Sequence, residues 1–206
     1  MTRILVPGVS PTGLAELDGR GVVLRRAVGV HPAHDGTVAQ VEVAQVEAGL
    51  EGVDVAAIGE LGWDRAHPPR DALVDALVEL AKARGLPVIL HVVGLHGHAV
   101  ERLRRHGQVQ GVVHAYSGSA ELVKAYVALG LHVSIGPSVR RDGARKVIAA
   151  AAAVPDGRLL VETDAPDQCA EPAELPSVVD AVARARGATV EAIRQLTYDN
   201  ALALFG

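Results

Sequence analysis

The sequence predicts an α/β protein in which parallel strands alternate with helices and close into a TIM-type (β/α) barrel. Seven short apolar runs alternate with longer amphipathic segments, and most of the runs are continuous rather than alternating. This is the pattern of parallel strands that are buried on both faces. Polar residues fall repeatedly at the C-terminal ends of these runs, which is where a parallel barrel places its active site.

The predicted strands are runs of apolar residues interrupted or ended by glycine and proline. They are ILVPGV (4–9), RAVGVHP (26–32), VAAIGELGWD (55–64), PVILHVV (87–93), GVVHAYSG (111–118), HVSIGPSV (132–139) and LLVETDAP (159–166). A complete barrel of this type has eight strands, so one strand–helix unit of about 30 residues is missing from the prediction.

The predicted helices carry apolar residues at three- and four-residue spacing. They cover residues 37–49, 70–85, 96–107, 119–130, 142–154 and 189–206. Gly85 is suited to end the second helix, and Thr189 is suited to cap the last one. No segment resembles a linker, so the sequence predicts one domain over residues 1–206.

Composition narrows the classes of function. A net charge of -4 and a pI near 6.1 argue against a broad phosphate-binding surface. A bound metal ion could still supply positive charge locally, so a nucleic-acid enzyme stays possible. The single cysteine, Cys169, reads as a spare loop residue, and no apolar run reaches the ~18 residues that span a bilayer. We therefore expect a soluble cytoplasmic protein with no membrane partner.

Four polar residues lie in otherwise apolar surroundings at or near predicted strand ends: Glu60, His91, His114 and Asp164. Taken singly, each histidine is typical of a hydrogen-bonded core residue and each acid of a cap or loop anchor. In a parallel barrel, however, all four side chains would converge on one rim. Two carboxylates and two imidazoles form a ligand set that zinc accepts, and a cation would offset the cost of burying the acids.

Several ordered motifs resemble the TatD family of metal-dependent hydrolases, a branch of the amidohydrolase-like barrel enzymes. The motifs are GVHP (29–32), AIGELGWD (57–64), PVILH (87–91), VVHAYSGS (112–119), HVSIG (132–136), LVETDAPD (160–167) and TYDNALALFG (197–206). They extend over nearly the whole chain, which makes the resemblance far more specific than any one motif.

The resemblance implies a site for one or two divalent ions, with zinc, magnesium or manganese as the candidates. Glu60 resembles the family's bridging carboxylate, and His91 and His114 resemble ligands of one metal. Asp164 resembles the acid that binds metal and accepts a proton from the attacking water. The implied substrate is DNA or a small phosphodiester, cleaved by hydrolysis.

Further roles follow from the same motifs, each with a structural alternative. His31 matches a position that lines the substrate pocket, but it could equally fix the turn before Pro32. Ser117 and Gly118 match a loop whose amides could face an anionic substrate, but the same loop could be small for packing. Glu162 lies on the same side of its strand as Asp164 by the two-residue period, so we expect it to orient a ligand.

The chain departs from the family at two places. It lacks an N-terminal His-x-His pair, and His96–His98, its only such pair, reads as a coincidence that faces solvent. An internally assigned start codon would explain the missing pair, and we favour it over a genuinely short chain that closes the gap by pairing or dimerisation. Val92 and Val93 stand where the family commonly has Ser-Arg, which weakens any claim of tight phosphodiester binding.

Three functions follow in order of preference. The first is a metal-dependent phosphodiesterase of the deoxyribonuclease type, in which Asp164 acts as general base. The second is a metal-dependent hydrolase of a small amide, ester or lactone. The third is an N-terminally truncated barrel that binds a partner or is catalytically impaired.

Overall fold

The computed structural model describes residues 3–11, 23–36, 38–51 and 55–206. The chain forms two compact units, Met1–Gly111 and Val112–Gly206. The single domain predicted over residues 1–206 stays a prediction. Of the helices in these described ranges, none combines the length and the apolar composition that a membrane crossing requires.

Unit 1 alternates strands with helices. Its elements are β1 (Arg3–Val6), β2 (Val23–Val28), α1 (Ala39–Gly49), β3 (Val55–Asp64), α2 (Asp71–Arg84), β4 (Val88–Val93) and α3 (His96–Arg104). The four strands pair in parallel and in chain order. The interior of β3 is buried continuously, as the unbroken apolar run predicted.

Unit 2 repeats this alternation and ends in two consecutive helices. Its elements are β5 (Gly111–His114), α4 (Ala120–Ala128), β6 (Leu131–Ile135), α5 (Arg145–Ala153), β7 (Leu159–Val161), α6 (Leu175–Arg186) and α7 (Val190–Phe205). Strands β6 and β7 are parallel, with Val133 opposite Leu159. Three short 3-10 turns, Pro137–Arg140, Asp156–Arg158 and Pro172–Glu174, connect these elements.

All seven predicted strands are present, but several end earlier than predicted. Strand β5 ends at His114 and β7 at Val161, and the residues that follow each strand form loops. Both helix-end predictions are confirmed. Gly85 ends α2 with φ of 63°, and Thr189 caps α7 by accepting a hydrogen bond of 3.2 Å from the Ala192 N–H.

One helix, α6, was missed by the sequence analysis. Its first turn contains Pro176, which a helix tolerates there because the first N–H groups have no intrahelical acceptor. Val178, Val179 and Val182 bury its apolar face, which is the three- and four-residue spacing seen in the other helices.

Candidate metal centre

Three side chains of unit 1 meet: His31, which follows β2, Glu60 within β3 and His91 within β4. Each offers one ligand atom, and these three atoms lie within 4.8 Å of one another. The Nε2 atom of His31 and the Nδ1 atom of His91 each lie 3.7 Å from Oε2 of Glu60. The two rings meet edge to face with centroids 4.3 Å apart. Two predicted site residues and the predicted substrate-pocket histidine are therefore neighbours.

The backbone of β3 places Glu60 in this cluster. Gly59 pairs with Ile89 and Leu61 with Leu90, so Glu60 is the extra residue of a bulge. Bulges re-aim a side chain and occur often beside active sites. The backbone at Gly29 packs directly against the backbone at this bulge. A β-carbon on Gly29 would lie only 2.4 Å from the carbonyl carbon of Gly59. A glycine is required there.

Hydrogen bonding gives His31 a defined tautomer. The Ala33 N–H donates to Nδ1 of His31 over 3.1 Å, so in the neutral ring the proton sits on Nε2. It is Nε2 that faces Glu60. His31 therefore presents an N–H group to the cluster rather than a lone pair. This arrangement suits hydrogen bonding to an anionic oxygen, and the predicted substrate role of His31 stays a prediction.

Asp64 is a neighbour of the cluster that the sequence analysis did not single out. Its Oδ2 atom lies 3.5 Å from Nε2 of His91, and its Oδ1 atom accepts a 2.8 Å hydrogen bond from the Ala66 N–H. Partial burial raises the pKa of Asp64, but the Ala66 bond and the His91 ring outweigh it and leave the pKa below its usual value. The sequence did contain a signal for Asp64, because this residue ends the AIGELGWD motif that also contains Glu60.

In unit 2, His114 lies at the end of β5 beside Glu162. Oε1 of Glu162 lies 3.7 Å from Nδ1 of His114 and accepts a hydrogen bond from the Ala115 N–H. Its other oxygen accepts a 2.8 Å hydrogen bond from the Ser134 hydroxyl. These contacts hold the Glu162 carboxylate beside the His114 imidazole. The predicted role of Glu162 in orienting a ligand stays a prediction.

Asp164 follows β7 in a loop with a left-handed backbone, φ of 50°. The amide of Gln168 donates to its Oδ2 atom over 2.7 Å, and the Gln168 backbone N–H donates to its carbonyl over 2.8 Å. Gln168 therefore holds both the side chain and the turn of Asp164. The sequence analysis singled out neither residue, although Ser134 lies in the HVSIG motif and Gln168 directly follows LVETDAPD. Their contacts with Glu162 and Asp164 become apparent only in the folded chain.

The predicted substrate loop contains Ser117 and Gly118. Ser117 is half-buried, and its predicted contact with substrate stays a prediction. A β-carbon on Gly118 would lie 2.3 Å from the hydroxyl oxygen of Tyr116, which donates a 2.8 Å hydrogen bond to the Ser119 carbonyl. Packing against a buried tyrosine is thus a sufficient reason for the small residue.

The interpretation of His96–His98 as a solvent-facing pair is wrong. His96 is buried, with 7% of its surface exposed. His98 is half-buried, and its Nε2 atom lies 2.8 Å from Oδ1 of Asp71, which also accepts a 2.8 Å hydrogen bond from the Trp63 indole. The helix start packs against α2 and β3, which a local pattern cannot indicate.

Cys169 lies in a loop as expected but is buried beside Arg140.

The cluster in unit 1 fits a divalent ion by its chemistry. Glu60 is only 6% exposed, and a carboxylate so deeply buried needs positive charge or several hydrogen bonds near it. Carboxylate and imidazole together suit zinc or manganese.

The chain is similar in sequence to known metal-dependent hydrolases. Residues 5–206 match the model of the TatD related DNase family. The uncharacterized metal-dependent hydrolase YjjV of Escherichia coli K12 is 33% identical over 176 residues, which cover 80% of this chain and 68% of that protein. The 3'-5' ssDNA/RNA exonuclease TatD of Pantoea ananatis is 33% identical over 201 residues, which cover 86% of this chain and 76% of that protein.

Solved structures show the fold. The crystal structure of Escherichia coli YjjV, a TatD homologue, matches 99% of this chain and 86% of its own with a TM-score of 0.85 and 30% identity. A TatD family hydrolase from Entamoeba histolytica matches with a TM-score of 0.78 at 15% identity, which supports the fold alone. The predicted fold class, an α/β fold of the TIM-barrel type, is confirmed.

Proposed function

Because the chain belongs to the TatD related DNase family of metal-dependent hydrolases, we propose that it hydrolyses phosphodiester bonds of DNA or RNA. The observation that carries the proposal is the meeting of His31, Glu60 and His91 on two adjacent strands and the segment after a third, in motifs that fall within the matched family region. The relatives named as single-strand exonucleases support the choice of substrate. No contact in the described residues favours a small amide, ester or lactone instead.

We propose that Glu60, His91, His114 and Asp164 hold one or two divalent ions, as the family resemblance implies. The mixed carboxylate and imidazole set accepts zinc, manganese or magnesium in decreasing order of suitability. When bound, such an ion lowers the pKa of water towards neutrality and polarises a phosphoryl oxygen.

The protein's own groups then carry the proton and orient the substrate. Asp164 accepts the proton of the water whose oxygen attacks phosphorus, while the bond from phosphorus to the leaving oxygen breaks. Gln168 fixes the Asp164 rotamer for this task through its 2.7 Å hydrogen bond. The Nε2–H group of His31 donates to a phosphoryl oxygen, and Glu162 keeps the His114 ring in one orientation.

The charge of the chain limits how nucleic acid is bound. With a net charge of -4, the protein has no excess of cations for contacts along a long duplex. Recognition is therefore expected to concentrate on the few phosphates near the scissile bond, as suits the end of a single strand.

We also propose a cytoplasmic location. A single cysteine cannot form a disulfide within the chain, which is typical of proteins from a reducing compartment.

The test compares Asp164→Asn with Asp167→Asn, an exposed aspartate in the same loop. With Mn²⁺ and a fluorescent single-stranded oligonucleotide, Asp164→Asn is expected to lower turnover by about 10²- to 10⁴-fold, which is what a general base contributes. Asp167→Asn should retain turnover, and circular dichroism should show both variants folded. Normal turnover by Asp164→Asn would refute the role of this residue. Faster cleavage of aryl esters or lactones than of DNA would refute the proposed substrate.

A further inference from the structure

The two ring nitrogens of His91 face two different carboxylates. Nδ1 lies 3.7 Å from Oε2 of Glu60, and Nε2 lies 3.5 Å from Oδ2 of Asp64. The His91 side chain is 15% exposed and that of Asp64 is 19% exposed, so water has limited access to both. A neutral imidazole carries one proton, and the nitrogen that carries it cannot bind a metal ion.

We propose that Asp64 is a positioning residue that holds His91 as the Nε2–H tautomer and so turns the Nδ1 lone pair towards Glu60. The proposal rests on the proposed function, because it assigns the lone pair to a divalent ion bound beside Glu60. A carboxylate that accepts the second N–H of a ligand histidine fixes the ring orientation and makes the ligand nitrogen more basic.

The carboxylate of Asp64 is itself held in place. The Ala66 N–H donates to its Oδ1 atom over 2.8 Å, which leaves Oδ2 directed at His91. The next residue is anchored too, since the Arg65 N–H donates to the Val93 carbonyl over 3.0 Å. That bond ties the end of β3 to the end of β4, the strand that carries His91. The distance from Asp64 to the ring is therefore set by the backbone of two strands.

His31 shows the opposite arrangement in the same cluster. Its Nδ1 atom accepts the Ala33 N–H, so its proton lies on Nε2 and points towards Glu60. To offer a lone pair at Nε2, His31 would have to lose its bond from the Ala33 N–H, whereas the Nδ1 atom of His91 is the one that faces Glu60. The proposal thus divides a cluster of three potential ligands into two ligands, Glu60 and His91, and one donor, His31.

The first measurement is made on the metal-free protein. Two-dimensional ¹⁵N NMR of the histidine rings reports which nitrogen is protonated, with His91 assigned by the signal lost in His91→Asn. The wild type is expected to show the Nε2–H tautomer of His91. Asp64→Ala should give a mixture of tautomers, and Asp64→Asn a smaller change because its amide oxygen still accepts. Asp71→Asn, which removes the charge of another histidine-linked aspartate, is the matched control and should leave His91 unchanged.

The second measurement is calorimetric titration of the wild type, Asp64→Ala, Asp64→Asn and Asp71→Asn with MnCl₂, and of the wild type also with ZnCl₂. Asp64→Ala is expected to weaken binding by about 10- to 100-fold, the usual effect of losing such a partner, and Asp71→Asn to have no effect. A wild type that binds no Mn²⁺ or Zn²⁺ would refute the proposed function, while the NMR result would still decide the tautomer. An unchanged His91 tautomer together with unchanged affinity in Asp64→Ala would overturn the role of Asp64.

Discussion

Unit 1 buries two glutamates, Glu42 and Glu60, and surrounds them differently. They are 3% and 6% exposed, so both carboxylates are largely removed from water. Both terminal nitrogens of Arg70 donate hydrogen bonds to the carboxylate of Glu42, one of them over 2.9 Å. Glu60 faces two imidazoles at 3.7 Å. Because arginine is charged at every physiological pH and histidine only when protonated, Glu42 has a permanent counterion and Glu60 a conditional one.

On our proposal, this difference separates an acid that stabilises the fold from one that binds a metal ion. A carboxylate that is locked to a guanidinium has its lone pairs occupied and can do little chemistry. A carboxylate beside neutral imidazoles is poised to share a divalent cation with them, and the cation then supplies the missing charge. The same residue type therefore serves α1 as an anchor and β3 as a candidate ligand.

The largest effect is expected when Glu60 is neutralised. Glu60→Gln should lower Mn²⁺-dependent cleavage of single-stranded DNA by more than the roughly 100-fold upper range for loss of an outer partner. Without metal it should be no less stable than the wild type, since burying an amide costs less than burying a charge. Initial rates and thermal unfolding in EDTA measure the two effects. Retained cleavage would remove the distinction between the two glutamates.

Neutralising the counterion of Glu42 should damage stability instead. Arg70→Met leaves a buried carboxylate without its guanidinium, which destabilises by about 3 kcal/mol, the lower part of the range for buried pairs, because Arg70 is partly exposed. The double variant Glu42→Gln/Arg70→Met should recover much of this loss. Urea denaturation measures both, and turnover per folded molecule should stay near wild type. A loss of turnover without a loss of stability would contradict the structural role.

The contacts of α2 with α3 and with the turn after α3 extend the comparison to acids that are half-buried or exposed, and they give the smallest effect. His106 donates to Glu79, and this hydrogen bond is the main reason that the Glu79 pKa lies below its usual value of 4.5. Burial raises the pKa of Asp71, but bonds from His98 and Trp63 outweigh it and lower the pKa below 3.8. Folded-state pKa values below the unfolded ones stabilise the fold above the unfolded pKa and lose that effect as pH falls through the folded pKa.

Stability should therefore decline as pH falls below about 4.5, and the decline should be shallower in Asp71→Asn than in wild type. Chemical denaturation between pH 3 and pH 6 measures the slopes. Identical slopes in the two proteins would show that the Asp71 contact does not contribute.

The strands and the site motifs could be predicted from the sequence because both are marked by local apolar runs. The same local patterns predicted Glu60 and His91 as site residues and the helix ends at Gly85 and Thr189. The pairing of His91 with Asp64 was not, because it depends on the register of β3 against β4 and on the bulge at Glu60. The contact of His98 with Asp71 could not be predicted either, because it follows from how α3 packs on α2 rather than from spacing along α3.

The central claim is that Glu60 holds a divalent ion, and metal analysis after equilibrium dialysis tests it most directly. Wild type, Glu60→Gln and the Glu42→Gln/Arg70→Met double variant are stripped with chelator, dialysed against micromolar ZnCl₂ and analysed by mass spectrometry. The account predicts one or two ions per chain in the wild type and in the double variant, and a loss of bound ion in Glu60→Gln. Equal metal content in all three proteins, or none in the wild type, would contradict it.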